Sequence, residues 1–243
     1  HVTRDESEGV TVHYRDKESG ERKTLRAKLL VGADGALSKV AKQEMTEPHP
    51  KYVFAYHEVL DAPAPGTEGY DGTRCDVVYQ GKTSPDFYGW VFPHGDKVSV
   101  GTGSAQKGFA IRESVARLRE AAGLDDAGLV RREGAPIPMK PRKRWDNGKD
   151  VLLAGDAAGV VAPASGEGIY YAMVGGELAA LAGIEFLETS DAKALKLARK
   201  HFMKAHGRVF WILGVMQYFW YKSDKRRERF VSICDDPDVQ ELT

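Results

Sequence analysis

Two short apolar runs in this 243-residue chain each feed directly into a glycine–aspartate turn, and no other feature narrows the fold as much. Leu25 to Val31 runs into Gly32-Ala33-Asp34-Gly35, and Val151-Leu152-Leu153-Ala154 runs into Gly155-Asp156. A strand that ends in glycines before a helix start lets the backbone approach a bulky ligand, and a carboxylate there accepts ribose or ribitol hydroxyls. Ser38 is placed to cap a short helix from Lys39 to about Met45, ended before Pro48 and Pro50. For this first turn alone, a tight strand-to-helix connection with Asp34 as a cap explains the residues equally well. The second turn is richer. Gly155-Asp156-Ala157-Ala158-Gly159, then Pro163 and Ser165-Gly166-Glu167-Gly168-Ile169, leads into a helix expected from about Gly166 to Glu188. The free N–H groups at such a helix start suit a diphosphate. Ala172, Gly176, Ala179 and Gly183 form a small-residue stripe along that helix. Close packing accounts for the stripe, but not for Gly-Asp-Ala-Ala-Gly followed by Gly-Glu-Gly.

The rest of the chain is read around these two turns. Val10, Val12 and Tyr14 alternate as in a half-buried strand, between polar turns at Asp5 to Gly9 and Glu18 to Glu21. Short apolar runs at Tyr52 to Tyr56, Asp76 to Tyr79, Tyr88 to Phe92 and Val98 to Val100 predict strands. Ile111, Val115, Leu118 and Ala122 mark an amphipathic helix, and Pro136, Pro138 and Pro141 an extended connector beside Lys140, Arg142, Lys143 and Arg144. The order predicts an α/β core with a β-rich insertion between Met45 and Pro141.

Charge and composition remove several function classes. Lys plus Arg equals Asp plus Glu at 35 each, so the basic excess that nucleic-acid binding shows is missing. Cys75 and Cys234 form no C-x-x-C pair, and none of the histidines has a neighbour at ligand spacing, so no metal is expected and a reducing, cytoplasmic compartment fits. No apolar run is read as long enough to span a bilayer. Val209 to Tyr221, flanked by Arg208 and Lys222, either lies in a membrane interface, as Trp211, Tyr218, Trp220 and Tyr221 would suit, or packs inside the fold. The bases Lys222, Lys225, Arg226, Arg227 and Arg229 read as a solvated helix face. The start at His1 and the end at Glu241-Leu242-Thr243 read as cuts from a longer protein.

A third motif points further. In Tyr88-Gly89-Trp90-Val91-Phe92-Pro93, followed by seven residues and Gly101, strand alternation puts three aromatic rings on one face, a wide apolar wall. An ordinary sheet core is the alternative. The two glycine–aspartate turns resemble the second and third flavin signatures of the p-hydroxybenzoate-hydroxylase-like flavoproteins, and the aromatic run resembles the Y-x-W-x-F-P-x7-G signature of the geranylgeranyl reductase family. Tyr221-Lys222-Ser223, Arg227, Phe230-Val231, Cys234 and Asp238-Val239-Gln240 resemble the branch acting in chlorophyll or bacteriochlorophyll synthesis. The family's first signature, G-x-G-x-x-G, is absent; Gly101-Thr102-Gly103 lacks the third glycine.

The resemblance implies FAD as cofactor and NADPH as electron donor. It implies that the double bonds of a geranylgeranyl chain, as the diphosphate or on a pigment, become saturated. Asp156 would meet the FAD ribitol. Gly155, Ala157 and Gly159 would allow close backbone approach, and Gly166, Glu167 and Gly168 would form the helix-start anion site. Asp34 and Gly35 would support the diphosphate side. Tyr88, Trp90, Phe92, Pro93 and Gly101 would line the isoprenoid channel, while the proton donor is not identified. Residues 1–47 and 141–188 would then be parts of a Rossmann-like FAD-binding domain, 48–140 an α+β substrate-binding insertion, and 189–243 a C-terminal helical region. The interfacial reading would add peripheral contact with the photosynthetic membrane. Two rival expectations are an aromatic-ring hydroxylase of the same superfamily and a non-catalytic fragment that does not hold FAD by itself.

Overall fold

The computed structural model describes residues 1–4, 9–48, 50–67 and 70–241. The first four residues of the turn expected at Asp5 to Gly9, His49, Leu242 and Thr243 therefore lie outside the described residues. Ten strands are described: β1 Val2–Thr3, β2 Val10–Arg15, β3 Arg22–Ala27, β4 Leu30–Gly32, β5 Tyr52–Asp61, β6 Asp76–Val78, β7 Gly89–His94, β8 Lys97–Ser104, β9 Leu129–Pro138 and β10 Val151–Leu153. The helices are α1 Lys39–Glu44, α2 Ile111–Ala121, α3 Ile169–Thr189, α4 Lys196–Trp220, α5 Asp224–Cys234 and α6 Pro237–Glu241. The chain divides into two compact units, one of residues 1–51 with 137–214 and one of residues 52–136 with 215–243.

In the first unit, β4 and β10 pair in parallel, with Leu30, Val31 and Gly32 opposite Val151, Leu152 and Leu153. Strands buried on both faces carry continuous apolar runs, and Val151, Leu152 and Leu153 are all fully buried. They pack with Trp145, Ala157, Ala158, Ala179, Ala182, Leu195, Phe202 and Phe210 into one core. The run Leu25 to Val31, expected as one strand, is two: β3 ends at Ala27 in an antiparallel sheet with β2, and β4 starts at Leu30 beside β10. The chain leaves one sheet for the other at Lys28-Leu29, where Leu29 meets the bare backbone of Gly183 on α3. α3 begins at Ile169 rather than Gly166. At 21 residues its length and composition would allow it to cross a membrane, but Glu177 and Glu185 interrupt its apolar run, and Gly175, Ala179, Ala182 and Gly183 are buried in this unit.

The second unit is built on a five-stranded sheet in the order β6-β7-β8-β5-β9. Tyr56, Leu60, Val91, Val98 and Val100 on one face pack against Val115 and Leu118 of α2 and Leu124. The proline-rich stretch expected as a connector is in part β9, an edge strand, where a proline has no inner partner to deprive of its N–H. Of the segment expected as a C-terminal helical region, residues up to 214 belong to the first unit and the remainder to the second. Arg227 is not on a solvated face: it is 3% exposed. Its guanidinium donates to the Ser84, Pro85 and Tyr221 carbonyls and to Asp224 Oδ1 at 2.7 Å. Asp224 Oδ1 in turn accepts from the Gly81 N–H at 2.7 Å.

Candidate functional site

Parallel pairing of β4 and β10 brings both glycine–aspartate turns to the same end of the sheet, and the Ala154 N–H donates to the Gly32 carbonyl at 3.0 Å. Ligands of open α/β sheets bind outside such carboxyl ends. The two aspartates differ there in what their oxygens do.

Asp34 is a helix cap. Its Oδ1 accepts from the Ser38 hydroxyl at 2.5 Å, and its Oδ2 accepts from the Lys39 and Val40 N–H groups at 2.7 and 3.1 Å. Ser38 Oγ itself accepts from the Ala41 N–H at 2.8 Å, so α1 is capped as expected. Burial alone would raise the Asp34 carboxyl, but the hydrogen bonds from Ser38, Val40 and Lys39 outweigh it and hold the group below the usual carboxylate range. Gly35 sits at φ +81°, a left-handed conformation that a side chain would strain.

Asp156 is the opposite case. It lies in a 3₁₀ turn at Gly155–Ala157, half-buried, and no hydrogen bond or ion pair engages its carboxylate among the described residues. Desolvation by burial therefore pushes its pKa up. Its oxygens stay open to solvent rather than sealed in the core, so ligand hydroxyls could take the place of water there. Gly168 comes beside it: a Cβ there would lie 3.6 Å from Asp156 Oδ1. Gly155 is at φ +58° with nothing closer to its Cβ position than the Ala172 methyl at 3.8 Å, so its exposed side is open.

The other residues of the second turn have structural duties. Ala157 is buried in the core, and its carbonyl accepts from Arg142 Nε at 2.9 Å. Gly159 is glycine because a Cβ would come within 2.5 Å of the Lys140 carbonyl oxygen, so its bare side meets the connector. Glu167 Oε1 accepts from the Tyr170 N–H at 2.8 Å, which makes it a cap of α3, and Gly166 turns the chain at φ +67°. The carboxylate that no protein donor reaches thus gathers with Gly155 and Gly168, while Asp34, Ala157, Gly159 and Glu167 are held by the protein itself. Hydroxyls of an FAD ribitol fit this arrangement.

In the second unit, Tyr88, Trp90 and Phe92 do share one sheet face, with ring centroids 6.0 Å apart for Tyr88 and Trp90 and 6.3 Å for Trp90 and Phe92. All three are half-buried. Tyr88 also stacks on Phe87 at 4.3 Å and faces Tyr79 at 5.9 Å, and burial pushes its phenol up to about 12. Gly101 lies opposite Trp90, and the indole covers it: a Cβ would sit 2.2 Å from Trp90 Cζ2. Pro93 pairs with Val98 beyond the end of β6, so its missing N–H deprives no neighbour.

The sheet also gathers residues that sequence reading passed over. Trp90 Nε1 donates to Ser99 Oγ at 3.1 Å, His57 Nδ1 is 2.8 Å from the same oxygen, and His57 Nε2 is 3.0 Å from Glu133 Oε2. These residues come from four strands, so only the register could have joined them. His57 and Trp90 both stand opposite Gly101, which is that signal in retrospect.

Comparison with known proteins shows the family. Residues 1–175 match the family model described as FAD binding domain. The chain is 52% identical to a geranylgeranyl diphosphate reductase of Rhodobacter capsulatus over its full length, which is 61% of that protein. It is 36% identical to the enzyme of the same name from Synechocystis, covering 98% of this chain and 60% of the relative. The chain thus spans about three fifths of the length of these relatives. Among solved structures, a geranylgeranyl bacteriochlorophyll reductase-like protein of Thermoplasma acidophilum superposes with a TM-score of 0.79 at 22% identity, over 96% of this chain and 60% of that one. A p-nitrophenol 4-monooxygenase of Pseudomonas putida gives 0.66 at 20% identity, over 98% and 62%. With 175 of its 243 residues matched by that model, the chain belongs to the FAD binding domain family.

Proposed function

We propose that this chain is the greater part of an FAD-dependent reductase that saturates the double bonds of a geranylgeranyl group. The group would be carried as its diphosphate or on a chlorophyll-type pigment, with NADPH as the electron donor. The observation that carries the flavin half of the reading is the half-buried Asp156 carboxylate, which no protein donor engages among the described residues, beside Gly155 and Gly168. Asp156 holds the ribitol hydroxyls, and Gly155 and Gly168 leave room for the cofactor to approach. FAD, when bound, supplies the hydride chemistry.

Trp90 and Phe92 present an apolar face of the width an isoprenoid needs, and they exclude water from the alkene. The relatives named geranylgeranyl diphosphate reductase support that substrate class over a small phenol. Exposed Trp211 and Tyr218 on α4 support a peripheral seat at a membrane surface. Incubating the flavin-loaded protein anaerobically with NADPH and a geranylgeranylated pigment should add hydrogen pairs stepwise to the pigment's mass. An unchanged pigment, with NADPH consumed only when oxygen and a phenol are supplied, would establish a hydroxylase instead. Asp156→Ala should purify without flavin; full occupancy in that variant would overturn the cofactor assignment.

A further inference from the structure

Saturating an isolated alkene needs a proton as well as a hydride, and a wall that keeps water off the alkene also keeps off the usual proton source. On the aromatic face one polar chain leads inward from solvent. Its outer end is Glu133 on β9, whose side chain is 50% exposed. Next is His57 on β5, at 25%, with Nε2 on Glu133 and Nδ1 on Ser99. Its inner end is Ser99 on β8, 7% exposed, whose oxygen also receives the Trp90 indole N–H. Arg131 Nε holds the other Glu133 oxygen at 2.8 Å and keeps that carboxylate below its usual range. Among the described residues, the charged groups on this side of His57 are therefore Glu133 and, through it, Arg131. Trp90 and Ser99 are neutral.

The hydrogen-bond directions decide what this chain can do. When His57 carries both protons, Nε2–H donates to Glu133 and Nδ1–H donates to Ser99 Oγ. That oxygen then accepts from both His57 and Trp90, so among the described residues its own hydrogen has no acceptor and is free to leave toward the aromatic face. We infer that Glu133, His57 and Ser99 form a proton relay from solvent to an isoprenoid alkene lying against Trp90, with the Ser99 hydroxyl as the donor and His57 and Glu133 as the residues that charge and position it.

This rests on the reductase reading. FAD, when bound, would supply the hydride for one alkene carbon, and the Ser99 proton would pass to the other as a new C–H bond forms. The His57 Nδ1 proton moves to Ser99 Oγ in the same step, leaving a neutral imidazole with its Nε2–H on Glu133. After product leaves, a proton from solvent returns to Nδ1, with Nε2–H held on Glu133 throughout. The two electrons come from the hydride alone, and the relay supplies only the proton.

The test uses His57→Gln, which keeps an amide able to hydrogen-bond both neighbours but cannot carry a proton. In flavin-loaded, pre-reduced protein, single-turnover saturation of the geranylgeranyl group should fall at least hundredfold, the scale of a lost general acid. Flavin content and substrate KM should stay as in the parent. Ser99→Ala should lose rate to a similar degree, and serves if the glutamine variant fails to fold. A second readout needs no activity: the Trp90 indole N–H resonance should respond to pH in the parent, and the response should vanish in His57→Gln. Variants within threefold of the parent rate, or an indole resonance indifferent to pH in the parent, would overturn the relay. Failure of the parent itself to saturate the alkene would instead sink the reductase reading, and the relay with it.

Discussion

Adding one methyl at Gly101 tests the construction of the aromatic face most directly. A Cβ at this position would lie 2.2 and 2.5 Å from two indole carbons of Trp90 and 2.6 Å from His57 Cβ. The indole is a rigid ring and the His57 Cβ is fixed to the paired strand, so neither can yield by a simple rotation. Overpacking of this kind costs about 1–3 kcal/mol, and contacts this short place Gly101→Ala near the top of that range. Displacing the indole also breaks its hydrogen bond to Ser99, worth about 1 kcal/mol. Burial of the new methyl returns roughly 0.8 kcal/mol. The net expectation is a loss of about 3 kcal/mol, measured by urea unfolding followed by circular dichroism.

The same variant in a Trp90→Ala background isolates the cause. With the indole gone, only the His57 contact remains, so the cost of Gly101→Ala should shrink by more than about 1 kcal/mol, as expected of directly touching residues. A loss below about 0.5 kcal/mol, or an equal loss in both backgrounds, would refute the claim that Gly101 is glycine because Trp90 lies on it.

Two further outcomes follow from the geometry. The Asp156 carboxyl is raised above its unfolded value by desolvation alone, so in the cofactor-free protein it contributes stability that is present below the unfolded pKa, near 3.8, and lost as pH rises through the folded value. Asp156→Asn should therefore match the parent's melting temperature at pH 3 and exceed it at pH 7 without flavin; a gap of opposite sign would mean the carboxylate is well solvated or paired. Arg227→Met removes the donors to three carbonyls and to Asp224, and should cost about 2–4 kcal/mol, since several buried acceptors lose their partner together. Thermal unfolding within a degree of the parent would show that the cluster around α5 stands without it.

Local chemistry made much of this protein legible from residue order. Glycine and aspartate after short apolar runs announced two strand-to-helix turns, because few other residues tolerate φ near +60 to +80° or cap a helix start. Alternation put Tyr88, Trp90 and Phe92 on one face, because strand side chains have period two. Spacings of three and four placed α2. All of these are properties of a few consecutive residues, and the structure contains each of them.

What tertiary structure decided is how distant segments share their acceptors and donors. Asp34 and Asp156 occupy similar turns, yet one has its oxygens filled by Ser38, Lys39 and Val40 while the other has none filled. The difference is set by which helix begins close enough to donate. Gly159 and Ala157 resembled cofactor contacts in sequence, but the connector and the core claimed them once the chain closed. β9 was hidden behind Pro136 and Pro138 until its place at the sheet edge removed the objection. Arg227 read as one of several surface bases until three carbonyls from separate segments converged on it. His57, Ser99 and Glu133 carry no motif at all: they are 42 and 76 residues apart along the chain from His57. Only the pairing register of the sheet, a non-local property, brings their polar atoms within 3.0 Å.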